Sequence, residues 1–154
     1  MIIALGEYIP RLNTKLHTPK NFDLLPPSRW TWREALLQSR WNLCVYPDDM
    51  QAISIMRVAD KLMLVEEEIN KKMHVLSWLR CRPYNQLING ATNSYHIEGH
   101  AVDFAVDGMH ADLVRSALKD HLSTLEIRIQ KHAPGTTWVH LDLAQPGTTG
   151  RFFS

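Results

Sequence analysis

The chain has 154 residues, 45% of them hydrophobic and 21% charged, which suits one folded domain and excludes a polar chain unable to collapse. Seventeen basic against sixteen acidic side chains give a formal charge of +1, so the bulk composition draws the protein to neither nucleic acid nor an anionic membrane. No apolar run approaches the roughly 20 residues of a membrane-spanning helix, and membrane insertion is not expected.

Cys44 and Cys81 are the only cysteines, too few for a disulfide framework and without the paired spacing of a thiolate zinc site, so two buried free thiols are expected. Met1 to Glu7 carry no basic leader, and their apolar run ends too early for a secretory signal. Synthesis in the cytoplasm is therefore expected, with any extracellular target reached with help.

Residues 1 to 30 hold Pro10, Pro26 and Pro27 with no sustained period, and read as an irregular arm with room for one short strand. Thr31 caps a helix through Trp32, Ala35, Leu36 and Ser39, with Glu34 completing a capping box. Pro47-Asp48-Asp49 opens the next helix, because early acids favour the positive end of the helix dipole. Ile53, Met56, Ala59/Asp60 and Met63 recur at helical spacing to about Asn70, with Glu66 to Glu68 and Lys71-Lys72 as its solvated face and end. Val75, Ser77 and Leu79 then alternate with His74, Leu76, Trp78 and Arg80 as in a strand, Arg82 to Asn85 read as a loop, and Asn89-Gly90 as a turn.

From Ala101 the alternation is clean: Val102, Phe104 and Val106 share one strand face, and Ala101, Asp103 and Ala105 the other. His110 to Leu122 reads as a helix, Glu126 to Gln130 as a strand, and Trp138 to Leu143 as another. In the last, Val139, Leu141 and Leu143 form the apolar face and leave Trp138, His140 and Asp142 opposite. No repeat, low-complexity tract or linker interrupts residues 1–154, and a single domain is expected.

Two strands with apolar faces thus each present an imidazole or a carboxylate on the other face, and His96, seven residues before Asp103, adds a third donor. Three nitrogen or oxygen ligands with one position left for water is the arrangement of a catalytic zinc. Gly99 supplies the freedom for His96 and Asp103 to converge. A lone His or Asp on a strand is usually structural, and His100, His110, His121 and His132 are read as surface or structural. Trp30, Trp32 and Trp41 are read as packing residues rather than a sugar platform.

The segment Ser94-Tyr95-His96-Ile97-Glu98-Gly99-His100-Ala101-Val102-Asp103 resembles the Ser-x-His-x-x-Gly-x-Ala-x-Asp pattern of the zinc D-alanyl-D-alanine carboxypeptidases and L-alanyl-D-glutamate endopeptidases. Trp138-Val139-His140-Leu141-Asp142 is similar to that family's second motif, and Ser77-Trp78-Leu79-Arg80 followed by Asn85 to its Ser-x-x-Arg segment. The resemblance implies zinc held by His96, Asp103 and His140. It implies Arg80 on a substrate carboxylate or carbonyl, where its planar fork of donors fits. Ser94 and Tyr95 are read as loop-fixing residues, with substrate contact as a further role. The resemblance also implies an α+β fold of the hedgehog/DD-peptidase type, helices on one side of a small, mainly antiparallel sheet, which the alternation supports.

The implied activity is hydrolysis of an amide bond in the peptidoglycan stem peptide, by an endopeptidase or carboxypeptidase of D,D- or L,D-type. The implied setting is the bacterial wall, reached as phage lysis enzymes do or on a virion, and a monomer is expected. One departure stands out: the family often has Glu or Asp three residues before the final His as general base, and here Thr137 occupies that position. Asp142 and then Glu98 are the candidate replacements, although Asp142 is also placed to orient His140. The rival reading is a metal-binding, catalytically silent wall-binding or virion module, and a third is a zinc peptidase acting on a dipeptide from outside the wall.

Overall fold

Side-chain chemistry sets the helix starts. The computed structural model describes residues 2–3 and 29–154, so most of the expected N-terminal arm lies outside the described residues. Within it, Ile2–Ile3 forms strand β1. Helix α1, Trp32–Leu36, is closed at its start by Thr31 and Glu34 in the expected capping box. It runs directly into β2, Leu37–Gln38, which turns back on β3, Leu43–Val45. With β1 these make a three-stranded sheet in the order β1-β3-β2.

Helix α2, Asp49–Ile69, begins with a second capping box, between Asp48 and Gln51, and ends on Asn70 in the left-handed conformation. Its buried stripe is Ala52, Ile55, Val58, Ala59, Leu62 and Val65. The phase expected from Ile53, Met56 and Met63 is thus one residue off: Ile53 is exposed, and Met56 and Met63 are half-buried at the edge of the core. Both stripes are apolar, and only the facing surfaces decide which one turns inward.

The larger sheet has five strands in the order β4-β5-β7-β6-β8, formed by Met73–Ser77, Ala101–Val106, Val139–Asp142, Arg128–Gln130 and Phe152–Phe153 for β4, β5, β7, β6 and β8 respectively. All pairings in it are antiparallel except that of β6 with β8. Strand β4 stops at Ser77, earlier than its alternation suggests, with a register shift between Val75 and Ser77. Between β4 and β5, Arg82–Leu87 forms α3 rather than the expected loop, because Pro83 falls in the first helical turn, where its missing N–H costs nothing. The single helix expected over His110 to Leu122 is instead α4, Ala111–Leu118, a 3₁₀ turn at Lys119–His121, and α5, Leu122–Leu125.

Register sorts the faces of this sheet. Val102 pairs with Leu141, Phe104 with Val139, and Ile129 with Leu141, so their side chains share the face on which α4 packs, with α2 lying against α4 and α5. All five of these residues are fully buried in one core that includes Trp30, Trp32, Ile55 and Leu62. The other face carries Ser77 opposite Asp103, Asp103 opposite His140, and Arg128 opposite Asp142. The architecture is therefore α+β, with an apolar layer under the helices and a polar row on the far side. Among the described residues, no helix is long and apolar enough to cross a membrane. Cys44 and Cys81 are free thiols, the first buried as expected and the second only half-buried.

Candidate metal centre

The polar row is completed by a loop. Residues 94–100 form consecutive tight turns, with Ile97 N–H donating to Ser94 O, Gly99 N–H to His96 O and His100 N–H to Tyr95 O. Gly99 has φ +76°, and a Cβ there would meet the Gln51 carbonyl oxygen at 3.0 Å and Ile55 at 3.2 Å. Gln51 Nε2 donates to Ile97 O at 2.9 Å, so the residue that completes the capping box with Asp48 also ties down this loop. Arg80 N–H donates to His96 O, joining the loop to the chain leaving β4. The outcome is that His96, 2% exposed, is carried over the end of β5 beside Asp103.

One ligand atom from each of His96, Asp103 and His140 lies within 4.8 Å of the others. His96 Nε2 is 3.2 Å and His140 Nδ1 2.8 Å from the same carboxylate oxygen, Asp103 Oδ1. The other nitrogen of each ring is already engaged. His96 Nδ1 sits 2.7 Å from Trp78 O, and because a carbonyl only accepts, Nδ1 carries the proton and Nε2 presents a lone pair. His140 Nε2 faces Asp142 Oδ2 at 3.4 Å, leaving Nδ1 toward Asp103.

Burial pushes the His96 imidazole below its ordinary value. Its unprotonated Nε2 and an ionised carboxylate oxygen therefore point at one another, an arrangement of two acceptors that a cation between them resolves. Burial would by itself lower His140, yet its contacts with Asp103 and Asp142 push it up to about 9, and a cation would take the place of that proton. Two imidazole nitrogens and one carboxylate oxygen, with ring orientation fixed from behind, fit a divalent transition metal such as zinc.

The three residues line a cleft of about 540 Å³ together with Arg40, Arg80, Tyr84, Ser94, Gln130 and Trp138. The Arg80 guanidinium contacts Asp103 Oδ2, and its Nε donates to Ser77 Oγ at 2.8 Å. Ser94 lines the cleft, and its Oγ accepts from His96 N–H at 3.3 Å. The other sequence-derived candidates lie elsewhere. Tyr95 is absent from the cleft wall, and its ring lies 5.5 Å from the guanidinium carbon of Arg128. The Glu98 side chain is 65% exposed and turned toward His100 Nδ1, 3.6 Å away.

Asp142 is fully buried. Arg128 Nε and an Arg128 terminal nitrogen donate to its two oxygens at 2.7 and 2.9 Å, and Oδ1 also accepts from Ala144 N–H. A carboxylate so engaged has no open side for water. Among the described lining residues, Asp103 is the sole carboxylate of the cleft.

Several site residues escape sequence reasoning. Tyr84, at 4% exposure, has its hydroxyl 2.9 Å from Ser39 Oγ and accepts from Arg40 N–H, fixing the β2–β3 turn as one wall of the cleft. Arg128 is found only by the register that sets it opposite Asp142. Trp138 is legible on the His140 face by alternation, and it lines the cleft while staying partly exposed.

No curated protein matches the chain. A family model described as peptidase M15 matches residues 31–142, which run from the cap of α1 to Asp142 and enclose the whole His-Asp-His group. The chain belongs to the peptidase M15 family, a family of metal-dependent peptidases.

Proposed function

We propose that this protein is a zinc-dependent peptidase that hydrolyses an amide bond in the stem peptide of bacterial peptidoglycan, acting at the cell wall. The observation that carries the reading is the convergence of His96, Asp103 and His140 in a cleft with a guanidinium beside them. A zinc ion in this site supplies Lewis acidity, bringing the pKa of water to about 7 and polarising a carbonyl. The remaining work falls to side chains of this chain. Arg80, which reaches Asp103 Oδ2 at the cleft, has the paired donors to suit a substrate carboxylate or the oxygen that gains charge at the scissile carbon. Ser94 holds the His96 backbone and borders the substrate. Arg40 and Trp138 line the same cleft and suit an anionic peptide with apolar side chains.

Asp142 is better suited to orient His140 than to take a proton from water, since Arg128 occupies both its oxygens. Glu98, exposed and outside the cleft, fits no step of the reaction. That Asp103 is the sole carboxylate among the described lining residues favours one rival, a wall-binding module of this fold that binds metal without turnover. Zinc-loaded and metal-free protein incubated with purified muropeptides, with products read by mass spectrometry, separates the two. Zinc-dependent loss of one stem-peptide bond supports the peptidase. Absence of any product, with protein still sedimenting with purified walls, overturns it in favour of the rival.

A further inference from the structure

Behind the metal ligands lies a second polar assembly that the cleft chemistry does not use. Arg128 is nearly buried on β6, yet it is the cation that neutralises Asp142 on β7. Burying an arginine and an aspartate together is costly unless the geometry is good and other groups engage the charges. Both conditions are met: the ion pair is bidentate, and the guanidinium carbon lies 4.2 Å from the centroid of the Phe153 ring and 5.5 Å from that of Tyr95.

Phe153 touches the metal side as well. Its ring meets the His140 imidazole edge-on, 6.2 Å between centroids at 82°. It is positioned by β8, which runs parallel to β6 with Gln130 opposite Phe153 and with Ile129 N–H and Lys131 N–H donating to the carbonyls of Arg151 and Phe153. The residues that press on His140 from behind thus include one eleven positions beyond Asp142, where the family match ends. A ring that binds metal through one nitrogen is aimed by whatever holds the other, and Asp142 holds His140 only as firmly as Arg128 and Phe153 hold Asp142 and the ring.

We infer that Arg128 and the C-terminal Phe153 are positioning residues of the metal site, fixing His140 through the Asp142 carboxylate and through the ring face, with Tyr95 as a further support for Arg128 rather than a substrate contact. The inference rests on the assignment of His96, Asp103 and His140 as metal ligands.

The test uses Co²⁺ as the probe on the full chain, following both its affinity by competition with a chelator and its visible absorption bands, which report ligand geometry. Phe153→Leu and Arg128→Lys are expected to weaken Co²⁺ binding by about 10- to 100-fold and to shift the bands. Leu62→Ala, a comparison variant in the core of α2 on the other side of the sheet, is expected to lower the melting temperature while leaving affinity and bands as in the wild type. Wild-type affinity and bands in Phe153→Leu overturn the inference, even if Arg128→Lys proves too unstable to measure. A wild-type chain that takes up no Co²⁺ refutes the ligand assignment itself and the inference with it.

Discussion

Asp103 and Asp142 sit on neighbouring antiparallel strands, both nearly or fully buried and both touching His140, yet their surroundings differ in kind. Asp142 is saturated, with a bidentate guanidinium and a backbone N–H. Asp103 places one oxygen against two imidazole nitrogens whose rings are already anchored from behind, at the edge of an open cleft. A saturated buried carboxylate is a structural part. One that turns an oxygen to two imidazole nitrogens in an open cleft, with Arg80 on its other oxygen, suits a cation site, and the contrast separates two similar residues.

The comparison breaks most visibly if a ligand of the open site is removed. His96→Ala is expected to abolish stoichiometric zinc uptake, measured by equilibrium dialysis and elemental analysis, while the metal-free chain still folds as judged by circular dichroism; zinc retained at one per chain counts against the site. On the saturated side, Arg128→Met is expected to destabilise the metal-free protein by about 3–5 kcal/mol in urea denaturation, because Asp142 keeps its buried charge without a partner. A loss below 1 kcal/mol would mean that water reaches Asp142 and that the two carboxylates are less different than their contacts suggest.

Gly99 sharpens the boundary between them. Gly99→Ala forces a side chain into a left-handed φ against the Gln51 carbonyl, at an expected cost of about 1–3 kcal/mol together with weaker zinc binding, because the loop carrying His96 has to shift. A stability loss with unaltered zinc affinity would show that the loop moves without moving His96.

The smallest effect belongs to an ion pair distant from both carboxylates. Arg29, bonded to Glu66, holds that carboxyl below its ordinary 4.5. Its stabilisation is present above the unfolded pKa and disappears as pH falls through the lower folded value. Arg29→Met should therefore cost about 1 kcal/mol or less at pH 7, since the pair is partly exposed, and the gap from wild type should close as pH drops below about 4.5. A gap that persists at pH 2.5 would assign the effect of Arg29 to packing on Trp30, over which its guanidinium also lies.

Sequence reasoning reached the parts of this fold that local chemistry decides. The capping box at Thr31, the helix start at Pro47-Asp48-Asp49 and the alternation through Ala101–Val106 and Val139–Asp142 are written in adjacent residues, and the alternation places Asp103 and His140 on the face away from the core. What escaped is set by partners distant in sequence. The inward phase of α2 depends on what α4 and α5 present to it. Asp142 shares a strand face with His140, as the alternation says, but whether it meets solvent or a cation is decided by Arg128 on another strand. Pro83, beside a polar run, reads equally as a loop and as the first turn of a helix, and Cys81 to Asn85 close that turn only in the folded chain.

Crystallography of the zinc-loaded protein, with diffraction recorded on both sides of the zinc absorption edge, puts the central claim to the most direct test. One anomalous peak per chain bonded to nitrogens of His96 and His140 and to an oxygen of Asp103, with Arg128 still closed on Asp142, is the result predicted here. A peak elsewhere, or none from fully loaded crystals, contradicts it.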